Sequence, residues 1–175
     1  MLKRVKQVFF ALTAKITDKD KKFIQCNLSS AKSKLFWQMN LPDQYHALNV
    51  CYTALRLISD RSCRINQQKI IKCCLLHDIG KEKGDVSTID KIIAVLLYKF
   101  VPNLAKTFQK QGKGNVLQNL RHAVFIYDHH AQIGYEKLMA NGQKEIAEII
   151  VKHHDQQKND DCMELLLLRE ADELN

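Results

Sequence analysis

His77 and Asp78 stand side by side at the end of an apolar stretch, and as a pair they are poor core material. Ile70, Ile71, Cys73, Cys74, Leu75 and Leu76 precede them and would bury most of a helix's circumference. His77 falls one turn after Cys73 and Cys74 and so projects from the buried side. An imidazole and a carboxylate facing inward together need neutralising, and a metal ion does this directly. The plainer alternative is a helix end with one satisfied histidine and a solvated aspartate. Gly80, just past the last turn, suits a left-handed helix stop.

The remaining histidines repeat the theme. Six of the seven fall into four settings, His46, His77-Asp78, His129-His130 and His153-His154, with His122 outside them. Asp172 lies within an apolar C-terminal helix. Imidazole nitrogen and carboxylate oxygen suit manganese, iron, zinc or magnesium-type ions better than thiophilic ones. No cysteine has the spacing of a structural zinc site.

The elements that must carry these groups are helices. Two prolines and six glycines are too few for a turn-rich all-β chain, while long stretches of Leu, Ile, Ala, Lys and Gln predict an all-α one. A first helix is expected over 2–16 with Val5, Val8, Phe9 and Leu12 on one face, then a capped short helix through Cys26. A third, capped by Ser29 or Ser30, presents Leu35, Phe36 and Met39. Residues 1–40 thus read as a helical extension, anchored by Trp37, on a domain of 41–175. Pro42 restarts the chain in a helix that runs from Asp43 to Ser59 with His46 in its first turn. Helices follow over Gln67–Asp78, from Ser87 to Phe100, and over Leu104–Gln109. The run from Val116 to Tyr127 is expected to break at Asp128-His129-His130 and resume to a stop at Asn141-Gly142. A further helix ends in His153-His154-Asp155, and the last carries Met163 and Leu165 to Asp172.

Length and composition bound the rest. A chain of 175 residues suits one domain, which should bury roughly 70% of its unfolded surface. The six cysteines lack any Cys-x-x-Cys pair and read as reduced thiols in a cytoplasmic protein. No apolar run approaches the roughly 18 residues of a membrane span. The N-terminal apolar stretch is too short for a signal peptide, so no membrane partner is expected. The net charge of +8 is concentrated in residues 1–36, which hold nine Lys/Arg against Asp18 and Asp20. Such a segment could meet nucleic acid or phosphorylated substrates, but no recognition-helix or aromatic-strand pattern accompanies it, and a nucleic-acid module is not indicated.

The order His…His-Asp…His…His…Asp resembles the HD superfamily of metal-dependent phosphohydrolases, nearest to small bacterial single-domain HDIG members, over roughly residues 42–173. Leu75-Leu76-His77-Asp78-Ile79-Gly80-Lys81 matches the central signature of that group, and His46 its upstream histidine. His130-Ala131-Gln132-Ile133-Gly134 fits a His-Pro-x-x-Gly element with alanine in place of proline. Ile150-Val151-Lys152-His153-His154 and Glu170-Ala171-Asp172 match the two later elements.

The resemblance implies an all-α HD-domain helical bundle. His46, His77, Asp78 and Asp172 would hold a first metal, with Asp78 bridging to a second completed by His130 and His153. Two divalent ions are implied, manganese or iron favoured and magnesium, zinc or nickel compatible. His129 and His154 would stand behind these ligands, touch substrate or lie on the surface, although His154 could itself be a ligand. Asp78 and Lys81 are the catalytic candidates, the lysine as a point charge for phosphate. The implied substrate is a nucleotide-like phosphate ester attacked by metal-activated water. The Gly-Tyr-Pro element of cyclic-dinucleotide phosphodiesterases is absent, since His153-His154-Asp155 runs into Gln156-Gln157. The alternative is a non-hydrolytic HD sensor that binds a nucleotide or a protein partner. Oligomeric state is not legible.

Overall fold

Ile70, Ile71, Cys73, Cys74, Leu75 and Leu76 are all buried, so the helix that leads to His77 is enclosed by its neighbours. The structure, a computed structural model, describes residues 14–61 and 65–175. Its helices are α1 (Asp18–Asn27), α2 (Ser30–Trp37), α3 (Leu41–Ser59), α4 (Gln67–Leu76), α5 (Thr88–Phe100), α6 (Pro102–Phe108), α7 (Val116–Ala140), α8 (Lys144–Ile150) and α9 (Met163–Leu174). Among the described residues there is no strand, only an isolated bridge between Met39 and Glu82. The fold is all-α, as expected. The starts are set by capping residues: Thr17 with Asp20, Asn66, Ser87, and Asn115 with Gln118 each satisfy a first-turn N–H.

Two packing groups form. The larger joins α1, α3, α4, α8 and α9 through Ile24, Leu48, Leu75, Ile150 and Leu168, with α4 lying against α3, α8 and α9. The smaller joins α5, α6 and the first half of α7 through Ala94, Ala105, Ala123 and Val124. Small alanines let these three helices approach closely. At 25 residues, α7 is about 37 Å long and spans both groups, with His130 near the seam.

Several expectations need correcting. No break occurs at Asp128-His129-His130, because Ala131 leaves the backbone N–H that a proline would remove. Gly80 does not have a positive φ and is not a left-handed stop, whereas Gly142, at φ 69°, does follow α7 as a stop. Trp37 is partly exposed, and the anchor of the extension is Phe36, which is fully buried with Ile24 and Met39. α4 ends at Leu76, so His77 to Gly80 form a turn, and likewise α8 ends at Ile150 before His153. His46 lies in the second turn of α3, which starts at Leu41. The expected helix over 2–16 falls mostly on residues 1–13, outside the described residues, and 14–17 are not helical. Cys26, Cys51, Cys73, Cys74 and Cys162 are free thiols.

Candidate metal centre

Five elements bring six residues to one point. His46 comes from α3, His77 and Asp78 from the turn after α4, His130 from the middle of α7, His153 from the turn after α8, and Asp172 from α9. His77 and Asp78 are 1% and 2% exposed, and His130 and His153 are also buried.

The ring orientations have a common cause. His77 donates its Nδ1–H to the Cys74 carbonyl at 2.8 Å, His130 to that of Tyr127 at 2.8 Å, and His153 to that of Ile150 at 2.6 Å. Each bond reaches back three residues and fixes the tautomer, so three Nε2 lone pairs face inward. The His77 lone pair lies 3.5 Å from Asp78 Oδ2 and 3.8 Å from Asp172 Oδ1. In the neutral ring that nitrogen carries no proton to mediate between electron-rich atoms. His153 Nε2 is buried without a hydrogen-bond partner among the described residues. A lone pair in that position loses its hydration unless a donor or a cation replaces it.

Asp78 sits between two sets of ligand atoms, with Oδ2 on the His77 side and Oδ1 3.4 Å from His130 Nε2. His46, His77 and Asp172 form one group of converging donors, His77, Asp78 and His153 a second, and His130, His153 and His154 a third. His46 donates Nε2–H to Asp172 Oδ1 at 2.8 Å. His154 Nε2 is 3.0 Å from His130 Nε2. Since the His130 proton is committed to Tyr127, His154 is the donor of that pair. His153 and His154 therefore both reach the centre. His129 does not reach it: its ring stacks on Phe125 and Nδ1 donates to the Phe125 carbonyl at 3.1 Å.

Burial pushes the His153 imidazole down to about 3 and holds His130 well below its ordinary range, so both are neutral at pH 7. Burial, the largest single effect, would raise Asp78, but the Lys81 ammonium, 2.7 Å from Oδ1, together with the surrounding imidazoles outweighs it and keeps the carboxyl well below the usual range. Burial would lower Lys81, and Asp78 followed by Asp43 reverses that, keeping the amine protonated. Asp172 is likewise held low against its burial, chiefly by the His46 hydrogen bond. Two carboxylates and the inward Nε2 atoms of His77, His130 and His153 thus meet one ammonium. That donor set fits one or more divalent ions of the manganese, iron or zinc kind.

Other contacts hold these groups in place and had no distinct sequence signal. Lys137 Nζ donates to the Ile79 carbonyl at 3.0 Å and pairs with Glu82 at 2.6 Å, tying the His77–Lys81 turn to α7. Arg169 donates to the Lys152 carbonyl at 2.7 Å and pairs with Asp161, fixing the turn before His153. Arg61 forks onto Glu170 at 2.8 and 2.6 Å, which seats α9 and with it Asp172. Asp43, buried one turn before His46, pairs with Lys91 of α5.

An all-α domain that gathers histidines and aspartates from five elements defines a helical metal-binding class. A family model for the HD domain matches residues 44–175, and the chain belongs to that family, a superfamily of metal-dependent phosphohydrolases. Neither the curated proteins nor the solved structures contain a match to the chain.

Proposed function

We propose that the protein is a metal-dependent phosphohydrolase acting on a nucleotide-like phosphate ester, loaded with two divalent ions, manganese or iron by preference. In this reading it works in the cytoplasm, and residues 1–40 are an extension on an HD domain of 41–175. One observation carries the reading: His77, its Nδ1–H given to the Cys74 carbonyl, turns Nε2 toward Asp78 at 3.5 Å and Asp172 at 3.8 Å, an arrangement suited to a cation.

Bound divalent ions supply Lewis acidity for a phosphoryl oxygen and lower the pKa of a water. The chain's own residues orient that chemistry. His46, His77 and Asp172 offer one donor set, His130, His153 and His154 the other, and Asp78 lies between with one oxygen toward each. The carbonyls of Cys74, Tyr127 and Ile150 keep the rings from turning. Lys81 stays protonated and is positioned, on leaving Asp78, to meet a phosphate oxygen as a point charge.

The test is turnover by metal-loaded protein across dinucleoside polyphosphates, mononucleotides and cyclic dinucleotides. A hydrolysed substrate, with turnover lost in the H77A/D78A variant, is expected. Unchanged turnover in that variant would place the chemistry elsewhere. A nucleotide that raises the melting temperature yet is recovered intact with every metal would favour a non-hydrolytic sensor instead.

A further inference from the structure

α5 is apolar on a side that nothing among the described residues covers. Ile89, Ile92, Leu96 and Phe100 recur at helical spacing within an arc of roughly 80°, and all four are exposed. The opposite side of the helix supplies the packing, through Ala94, Leu97 and Tyr98. Leu104 of α6, four residues past Phe100, and Val116 in the first turn of α7 are exposed as well. Residues 88–121 hold six Lys/Arg against Asp90 alone, whereas the chain as a whole carries +8. Lys91 and Lys113 are spent on Asp43 and Asp85, while Lys99, Lys106 and Lys110 are exposed.

We propose that this face, α5 with α6 and the start of α7, docks on an anionic phospholipid bilayer. A partly apolar helix ringed by lysines has the composition of an interfacial anchor, and each lysine near an anionic surface contributes about fivefold to partitioning. A second copy of the chain is disfavoured, because a two-fold contact would bring two lysine-rich faces together. The apolar side chains project outward, with Ile89 71%, Phe100 69% and Val116 83% exposed. A fluid interface takes up projecting side chains, whereas a folded partner must supply a matching pocket for each. The expectation of no membrane partner rested on the lack of a spanning segment, and no helix among the described residues is long and apolar enough to cross a membrane. Lying on a surface needs no such helix. This face is separate from the metal centre, and the proposal stands apart from the hydrolase reading.

Flotation of the full chain with phosphatidylcholine vesicles, with and without phosphatidylserine, tests it. Binding should require phosphatidylserine and fall steeply with salt. K99E/K106E/K110E should weaken it about a hundredfold or more, and I89S/F100S about tenfold or more. Both variants change exposed side chains, so circular dichroism and metal content should match the native protein. No binding to phosphatidylserine vesicles overturns the proposal. So does binding that survives K99E/K106E/K110E but is lost in K19E/K22E, which would place it in the N-terminal basic segment. A dimer in solution that I89S/F100S dissociates, without vesicle binding, would show that a second copy covers the face.

Discussion

Gly80 and His130 touch backbone to backbone: a Cβ built on Gly80 would stand 2.0 Å from the His130 carbonyl oxygen and 2.8 Å from its Cα. The turn that carries His77 and Asp78 is therefore pressed onto α7 at the residue that supplies the next histidine. No side chain can move aside to relieve that contact. Gly80→Ala is expected to force the turn off α7, costing about 3 kcal/mol or more by overpacking. Thermal unfolding and metal content should fall together. A variant with native stability and native metal content would mean that the turn and α7 are not held in this register.

Lys81 and a cation compete for the same oxygen, since its ammonium lies 2.7 Å from Asp78 Oδ1. Lys81→Met keeps the stem but removes the charge. Metal affinity, read by calorimetric titration, should rise about tenfold or more once that ion pair no longer competes for the carboxylate. Turnover should drop at the same time. Weaker metal binding in this variant would contradict the competition.

Acid should destabilise the metal-free protein early. His153 is at about 3 in the fold against an ordinary 6.5, so the unfolded chain binds more protons throughout that interval. The stabilisation is complete above pH 6.5 and is lost as the pH falls toward 3, by as much as about 5 kcal/mol. His130 acts with the same sign. Melting temperatures of the chelator-treated protein should decline steadily between pH 6.5 and 4.5. A flat profile over that range would show that the two rings are not buried as neutral imidazoles.

Phe36, with no exposed surface, shares a core with Ile24, Met39 and α4. Phe36→Ala should cost about 3–5 kcal/mol and lower a single unfolding transition of the whole molecule. Two separate transitions, with only the first shifted, would show that residues 1–40 fold apart from the rest.

How much of this was legible depended on whether the signal was local. The apolar run into His77-Asp78 is a local pattern, and it located both the buried helix and its charged end. The glycine four residues after His130 separated it from His129, whose ring indeed turns away onto Phe125. His154 was harder, because α8 ends at Ile150, so His153 and His154 lie in a turn where helical spacing does not say which way each side chain points. Gly80 was read as a helix stop because its actual constraint, the backbone of α7, lies fifty residues away. The contacts of Lys137, Arg169 and Arg61 are of the same kind, with long side chains reaching across the fold to backbone or carboxylate. The exposed stripe of α5 has the same periodicity as a buried one, and only the packing of its opposite side tells them apart.

The central claim is that the inward Nε2 lone pairs and the two carboxylates hold metal. Calorimetric titration of the chelator-stripped protein with manganese, under anaerobic conditions at pH 7.5, measures that directly. Two equivalents are expected for the native chain, falling to about one when His130 and His153 are both replaced by alanine. Failure of the native protein to bind manganese, iron or zinc, or an unchanged stoichiometry in the double variant, would contradict the account.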